Sequence, residues 1–204
     1  MPRVLQSQAI GIGCAFLYWI IAVATDVSAA TADAPPGVSH PAIQVTALFA
    51  VAAWGMTSAV MIRARLPDWY TEGSRTLLQL TWLLAWSLFL IHVAAAFHFA
   101  HGWSHSAAVA HVEKESGAGD GIFVSYLFTL VWGADALWLV VRPESYTCRP
   151  RWLARAVHGF LAFVTFNATV VYGTGLARWG GAVGFAGLGW CLVRWFQARR
   201  ADVR

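Results

Sequence analysis

The charged residues of this chain are confined to short stretches, and the segments between them are apolar over lengths that suit membrane helices. Of the 204 residues, 58% are hydrophobic and only 12% are charged, against about 25% charged in soluble domains. A helix needs roughly 20 apolar residues to cross the hydrocarbon core of a bilayer. We therefore predict an all-α, polytopic transmembrane helical bundle that forms one integral membrane domain over residues 1–204. The six predicted spans are 9–27, 42–62, 77–100, 122–142, 156–172 and 179–196.

The basic residues indicate the orientation of these spans. Lys and Arg accumulate in the cytoplasmic loops of membrane proteins. Of the 14 in this chain, all but Lys114 and Arg178 fall on one side of the predicted bundle, which leaves 12 against 2. This asymmetry predicts that both termini are cytoplasmic, in a bacterial-type inner (plasma) membrane. Five spans remain if the first segment is a cleaved signal peptide, for which Ala30, Ala32 and Ala34 offer small-residue cleavage sites.

The net charge of +4 does not indicate nucleic-acid binding. The arginines follow the ends of apolar segments, where topology and anionic headgroups account for them, and no basic patch with a stacking platform remains. Several of the twelve tryptophans fall near segment ends, as expected for rings that anchor at the membrane interface. The lipid bilayer is the predicted partner. A glycine stripe, Gly181, Gly184 and Gly187, suits close helix packing and leaves a homo- or hetero-oligomer open.

Five of the seven histidines lie between residues 92 and 111. On a continuous helix, His98, His101 and His105 fall within an arc of about 60° and form one stripe. Neutral imidazole is the commonest ligand of transition metals, and an i, i+4 pair can chelate one ion from one helix face. We therefore predict a site for Zn, Cu or Fe on the non-cytoplasmic face. Its ligands are His98, His101, His105 and His111, with Glu113, Glu115 and Asp120 as auxiliary oxygen ligands.

The geometry of this site depends on Gly102. A helix that ends at Gly102 turns His105 onto a separate element and breaks the stripe. The competing interpretation is a set of interfacial histidines that hydrogen-bond headgroups, water and loop carbonyls, with Trp103 as an anchor.

Haem is a weaker prediction than a single metal ion. A bis-histidine haem needs two membrane histidines at matched depth, and His92 and His158 lie in opposite halves of the membrane. A haem held between His98 and another histidine of the outer loop stays open. His158 itself is predicted to be an ordinary interfacial histidine.

Two ionisable residues are predicted inside the membrane. His92 points away from the histidine stripe, and Asp135 lies in the fourth span, where a carboxylate is costly and is a functional candidate. Their depths differ by roughly 8 Å, so a water bridge joins them more easily than direct contact. They form a candidate proton relay. The structural alternative is a protonated Asp135 bonded to Asn167, Tyr172 or an indole N–H.

No reaction follows from these residues, and whether the chain is an enzyme stays open. There is no HExxH, GxSxG or phosphate-binding glycine loop. The leading interpretation is a multi-pass membrane protein with a histidine-rich metal site that serves redox chemistry, metal handling or hydrolysis. The alternatives are a non-catalytic membrane subunit that packs in a larger complex, or a small proton-coupled transporter that uses Asp135 and His92.

Overall fold

A computed structural model describes residues 40–63 and 72–201, and nearly all of them are helical. The prediction of an all-α fold is confirmed for this part of the chain. A π-helical turn, Asn167–Val171, extends the helix Arg151–Phe166. The helices are α1 (Pro41–Arg63), α2 (Glu72–Phe99), α3 (His105–Ser116), α4 (Gly121–Val141), α5 (Pro143–Thr147), α6 (Arg151–Phe166) and α7 (Gly175–Ala201).

Four helical stretches are long and apolar enough to cross a membrane, and they correspond to the second to fifth predicted spans. The first predicted span, 9–27, lies outside the described residues. The sixth, 179–196, falls within α7 but is not among the four stretches, so the six-span count stays a prediction. The four stretches are Pro41–Ile62, Arg75–Phe99, Gly121–Val141 and Arg151–Val171.

The connection predicted at residues 142–155 is more helical than expected. Pro143 occupies the first turn of α5, and Pro150 directly precedes α6. Proline suits the start of a helix because its ring fixes φ and it lacks the N–H that would be unpaired there. As a result α6 begins at Arg151, earlier than the predicted start at residue 156.

The core lies mainly between α2 and α4, with one residue each from α1, α5 and α6, and half of its ten buried residues are aromatic. Trp82 and Trp132 are buried with ring centroids 5.4 Å apart, and Leu139 and Leu161 are buried with them. Trp103 is exposed at a helix end, as expected for an interfacial ring. The expectation of tryptophans at segment ends therefore describes only part of the set, because others fill the helix–helix contacts.

The close approach of α2 and α4 depends on Gly133. A Cβ atom at this position would lie 2.6 Å from a ring carbon of Trp86, well inside van der Waals contact. The Trp86 indole N–H donates to the Thr129 carbonyl at 3.2 Å. Glycine therefore leaves the space that lets the indole contact α4.

Candidate functional site

The histidine-rich end of the bundle, residues 98–111, consists of the end of α2, a tight turn and most of α3. Gly102 (φ 53°) and Trp103 (φ 61°) both have left-handed backbone conformations. Glycine adopts this region readily, whereas a tryptophan does so rarely. The turn at Gly102 ends α2, so His105 belongs to a separate helix and the continuous stripe predicted from the sequence is broken.

A short helix, α3, lies in this connection. Ser104 is its N-cap: its Oγ accepts a hydrogen bond from the Ala107 N–H at 3.3 Å, which satisfies one free donor of the first turn. Gly117 follows the helix with a φ of 77°, a conformation common after a helix C-terminus. The capped helix gives His105 and His111 defined positions.

Two of the predicted histidine ligands form hydrogen bonds with aromatic side chains. The Trp103 indole N–H donates to His98 Nδ1 at 3.3 Å. His105 Nδ1 lies 2.8 Å from the hydroxyl oxygen of Tyr126 in α4. These contacts anchor the turn and α3 to the bundle, and they place His98 and His105 in separate environments.

The other two predicted ligands, His101 and His111, meet. Their ring centroids lie 5.2 Å apart, His111 is exposed and His101 is half-buried. Burial lowers the pKa of His101, and the neighbouring His111 lowers that pKa further. Neutral imidazole is the form that ligates a metal. The pair therefore provides two imidazoles, from different segments, at an accessible surface.

The auxiliary carboxylates do not complete this pair. Glu113, Glu115 and Asp120 are exposed, and in residues 40–63 and 72–201 no group of three or more His, Cys, Asp or Glu side chains is placed to hold a metal ion. Glu115 is one helical turn beyond His111, so the two residues share a face of α3. It is the acid whose position in the helix best suits a role beside His111.

His92 lies at the contact between α1 and α2. Its Nδ1 is 3.2 Å from the Ile43 carbonyl oxygen and 3.4 Å from Thr46 Oγ1. Because a carbonyl oxygen only accepts, the bond to Ile43 places the His92 proton on Nδ1. His92 therefore joins two helices, and none of these contacts involves Asp135.

Asp135 lies in a buried network at the arginine-rich end of the bundle, residues 142–155. It forms an ion pair with Arg149, and the two side chains are 2% and 7% exposed, respectively. Asp135 Oδ2 also accepts hydrogen bonds from the Trp82 indole N–H at 2.9 Å and the Tyr146 hydroxyl at 3.0 Å. The buried carboxylate is thus balanced by a cation and bonded to two further donors, as burial of a charge requires.

Arg149 also contacts His158 in α6. Its Nη2 lies 2.9 Å from His158 Nε2. A guanidinium only donates, so His158 Nε2 must accept. The same guanidinium lies 3.7 Å from the centroid of the Tyr146 ring, close enough for a cation–π contact. Burial raises the pKa of Tyr146, and the charge of Asp135 raises it further, which keeps the hydroxyl protonated as a donor.

These contacts differ from the sequence-based expectations in two respects. The structure pairs Asp135 with Arg149 and gives it no direct contact with His92. It also places His158, predicted to be an ordinary interfacial histidine, in the network. An indole N–H was among the expected partners of Asp135 and is present, whereas Asn167 bonds within its own helix. The sequence predicted the pairing of Asp135 only in part. A buried acid needs a nearby cation, but nothing in the run of arginines distinguishes Arg149.

No family model, curated protein or solved structure matches this chain. The four apolar helices suggest a lipid bilayer environment and are compatible with an integral membrane protein. Function is therefore inferred from the chemistry of the two groups of side chains at opposite ends of α4.

Proposed function

We propose that this chain is an integral membrane protein that binds a transition-metal ion at its histidine-rich end, with His101 and His111 as the nitrogen ligands. The observation that carries the proposal is the 5.2 Å separation of the two imidazole centroids. Both imidazoles are nitrogen donors and His111 is exposed, so an ion from solution can reach the pair. A metal ion held between them gives the contact a chemical role.

The chemistry of the pair supports this proposal. The lowered pKa of His101 favours its neutral imidazole, the form that ligates a metal. Glu115, on the same face of α3 as His111, supplies an oxygen ligand when its side chain turns towards the ion. Two nitrogens and one oxygen leave a coordination position for water or substrate, as in catalytic metal sites. Hydrolysis by a metal-bound water needs such an open position.

The test compares two double variants. His101→Ala with His111→Ala removes the proposed pair, whereas His98→Ala with His105→Ala removes two histidines that contact other side chains. Each purified protein is examined by elemental analysis and optical spectroscopy, which distinguish zinc, copper, iron and haem. We expect stoichiometric metal in the wild type and in the His98 and His105 variant, and its loss from the His101 and His111 variant.

Circular dichroism of each variant establishes that the helices are retained. Wild-type protein prepared without chelators and found free of stoichiometric metal would overturn the proposal. Equal loss of metal from both double variants would point instead to the four-histidine site expected from the sequence. A haem spectrum would show that the cofactor is haem and not a single metal ion.

The topology that accompanies this proposal has six spans with both termini cytoplasmic, and it rests on the distribution of the basic residues. Cys148 is exposed between α5 and α6, on the side proposed to face the cytoplasm. A membrane-impermeant thiol reagent should therefore label Cys148 in inverted vesicles and not in intact cells. Labelling in intact cells would reverse the orientation.

A second candidate function, a non-catalytic subunit of a larger membrane complex, is favoured by the surface of α7. Trp179, Val183 and Trp190 are 71%, 72% and 64% exposed, and a Cβ at Gly184 would meet nothing within 4 Å. These exposed positions lie on two sides of α7, because Gly184 is about 120° around the helix from the other three, and either side suits a partner helix as well as lipid. Co-purification of a stoichiometric partner that is lost on Gly184→Leu would support this role, and a monomer that keeps its metal would count against it.

The proton-coupled transporter is the least favoured of the three. It requires Asp135 and His92 to exchange a proton, yet Asp135 is ion-paired with Arg149 and His92 donates to the Ile43 carbonyl. Substrate flux that is lost on Asp135→Asn in protein of unchanged stability would restore this candidate.

A further inference from the structure

The arginine-rich end carries three exposed basic side chains where two membrane-spanning stretches end. The stretch Gly121–Val141 is followed at once by Arg142, and the stretch Arg151–Val171 begins with a basic residue. Arg142, Arg151 and Arg155 are all exposed. In the proposed topology these three arginines lie near the lipid headgroups.

Arg149 does not belong to this surface, although it lies in the same run of sequence. Its side chain is 7% exposed and ion-paired with Asp135, and it also binds His158. Its charge is therefore balanced inside the protein. The three exposed arginines have no such partner, because among the described residues no carboxylate forms an ion pair with them.

Two of the three exposed charges also lie on one helix face. Arg151 and Arg155 are one helical turn apart and share a face of α6, and the Arg155 Nε donates to the Arg151 carbonyl at 3.2 Å. Like charges at this spacing repel each other unless an anion lies between them. Glu144, the acid of this segment, is exposed. The described part of the chain supplies no anion to balance these charges.

The surface beside the arginines is apolar. Val141 is 70% exposed and Trp152 is 66% exposed, each directly next to one of the three basic residues in the chain. Tryptophan favours the headgroup level of a bilayer. A soluble anion would gain nothing from these side chains, whereas a phospholipid can place its phosphate on the arginines and its acyl chains along the apolar side chains.

We propose that Arg142, Arg151 and Arg155 bind the headgroup phosphate of an anionic phospholipid, with Trp152 and Val141 against its acyl chains. The site is independent of the proposed metal site, which lies at the other end of α4. It distinguishes anionic from zwitterionic lipids, because a zwitterionic headgroup brings its own cation towards the guanidinium groups.

The experiment measures lipid retention by native mass spectrometry of the full-length protein, mixed with phosphatidylglycerol or phosphatidylcholine. The wild type should retain phosphatidylglycerol preferentially. Each basic residue contributes roughly fivefold to attraction by an anionic membrane surface, so Arg151→Gln with Arg155→Gln should weaken phosphatidylglycerol binding by roughly 25-fold. Phosphatidylcholine binding should change little.

Two further variants keep the result interpretable. Arg151→Lys with Arg155→Lys preserves the charge and should retain most of the preference, whereas Lys114→Gln removes one exposed charge from the other end and should change nothing. Equal retention of the two lipids by the wild type, or a glutamine variant that binds like the wild type, would overturn the proposal. Displacement of phosphatidylglycerol by excess inorganic phosphate would show a site for a soluble anion instead.

Discussion

Replacement of Asp135 by asparagine tests the buried network most directly. All three groups bound to Asp135 are donors: the Arg149 guanidinium, the Trp82 indole N–H and the Tyr146 hydroxyl. An asparagine offers one oxygen acceptor and one amide that only donates, so at least one of these donors faces another donor. The substitution also leaves the Arg149 charge without an anionic partner, although the Arg149 side chain is only 7% exposed.

The expected loss follows from these contacts. Removal of one member of a buried ion pair typically costs about 3–5 kcal/mol because the other charge stays buried. We expect Asp135→Asn to lower the free energy of unfolding by about this amount, measured by tryptophan fluorescence as sodium dodecyl sulfate is titrated into mixed micelles. Glu144→Gln is the matched control, since Glu144 is exposed at the same end and should change stability by less than about 0.5 kcal/mol.

A double-mutant cycle gives the result that would refute this reasoning. Arg149→Met removes the cation, so Asp135→Asn should cost less in that background, and contacting charges commonly show coupling of about 0.5–3 kcal/mol. Effects that add within about 0.5 kcal/mol would show that the two side chains do not stabilise each other. An unchanged unfolding transition for Asp135→Asn alone would have the same meaning.

Two further predictions concern α4 and the histidine pair. Gly133→Ala should destabilise the protein by about 1–3 kcal/mol because the added methyl group overpacks against Trp86. Gly184→Ala has open space and should stabilise α7 by up to about 1 kcal/mol. Equal thermal shifts for the two variants would contradict the contact between residue 133 and Trp86. The pKa of His101 lies below its ordinary value of 6.5 in the folded protein, so the unfolded chain takes up a proton first and the metal-free protein should lose stability as the pH falls below 6.5. His101→Gln should flatten that pH dependence of the unfolding free energy, and an unaltered profile would assign it to other groups.

Much of the fold follows from the order of apolar and charged residues. The second to fifth predicted spans correspond to described helices because a long apolar segment has to form a helix in lipid, whatever its neighbours are. The ends were less predictable: α6 starts at Arg151, within a segment that its arginines had marked as a loop. Pro150, which suits the start of a helix, was the local signal for that boundary.

The candidate site was predictable only as a set of residue types. Five histidines near one end of α2 indicate metal chemistry, but their grouping depends on where the helix stops. The turn at Gly102 and Trp103 rotates α3, and it brings His101 to His111 while His105 contacts Tyr126. A stripe on one continuous helix cannot contain that pair, because its members are ten positions apart and His101 lies in the turn whereas His111 lies in α3.

By itself the sequence determined that this chain forms apolar helices, that Asp135 needs compensation inside the bundle and that histidines gather at one end. Those properties depend on composition and on local spacing. Only the tertiary structure decided that Arg149, among the four arginines of its loop, pairs with Asp135, and that His101 and His111 are the histidines that meet. Both choices depend on how α5, α6 and α3 fold back onto the long helices, and such long-range contacts leave no periodic signal along the chain.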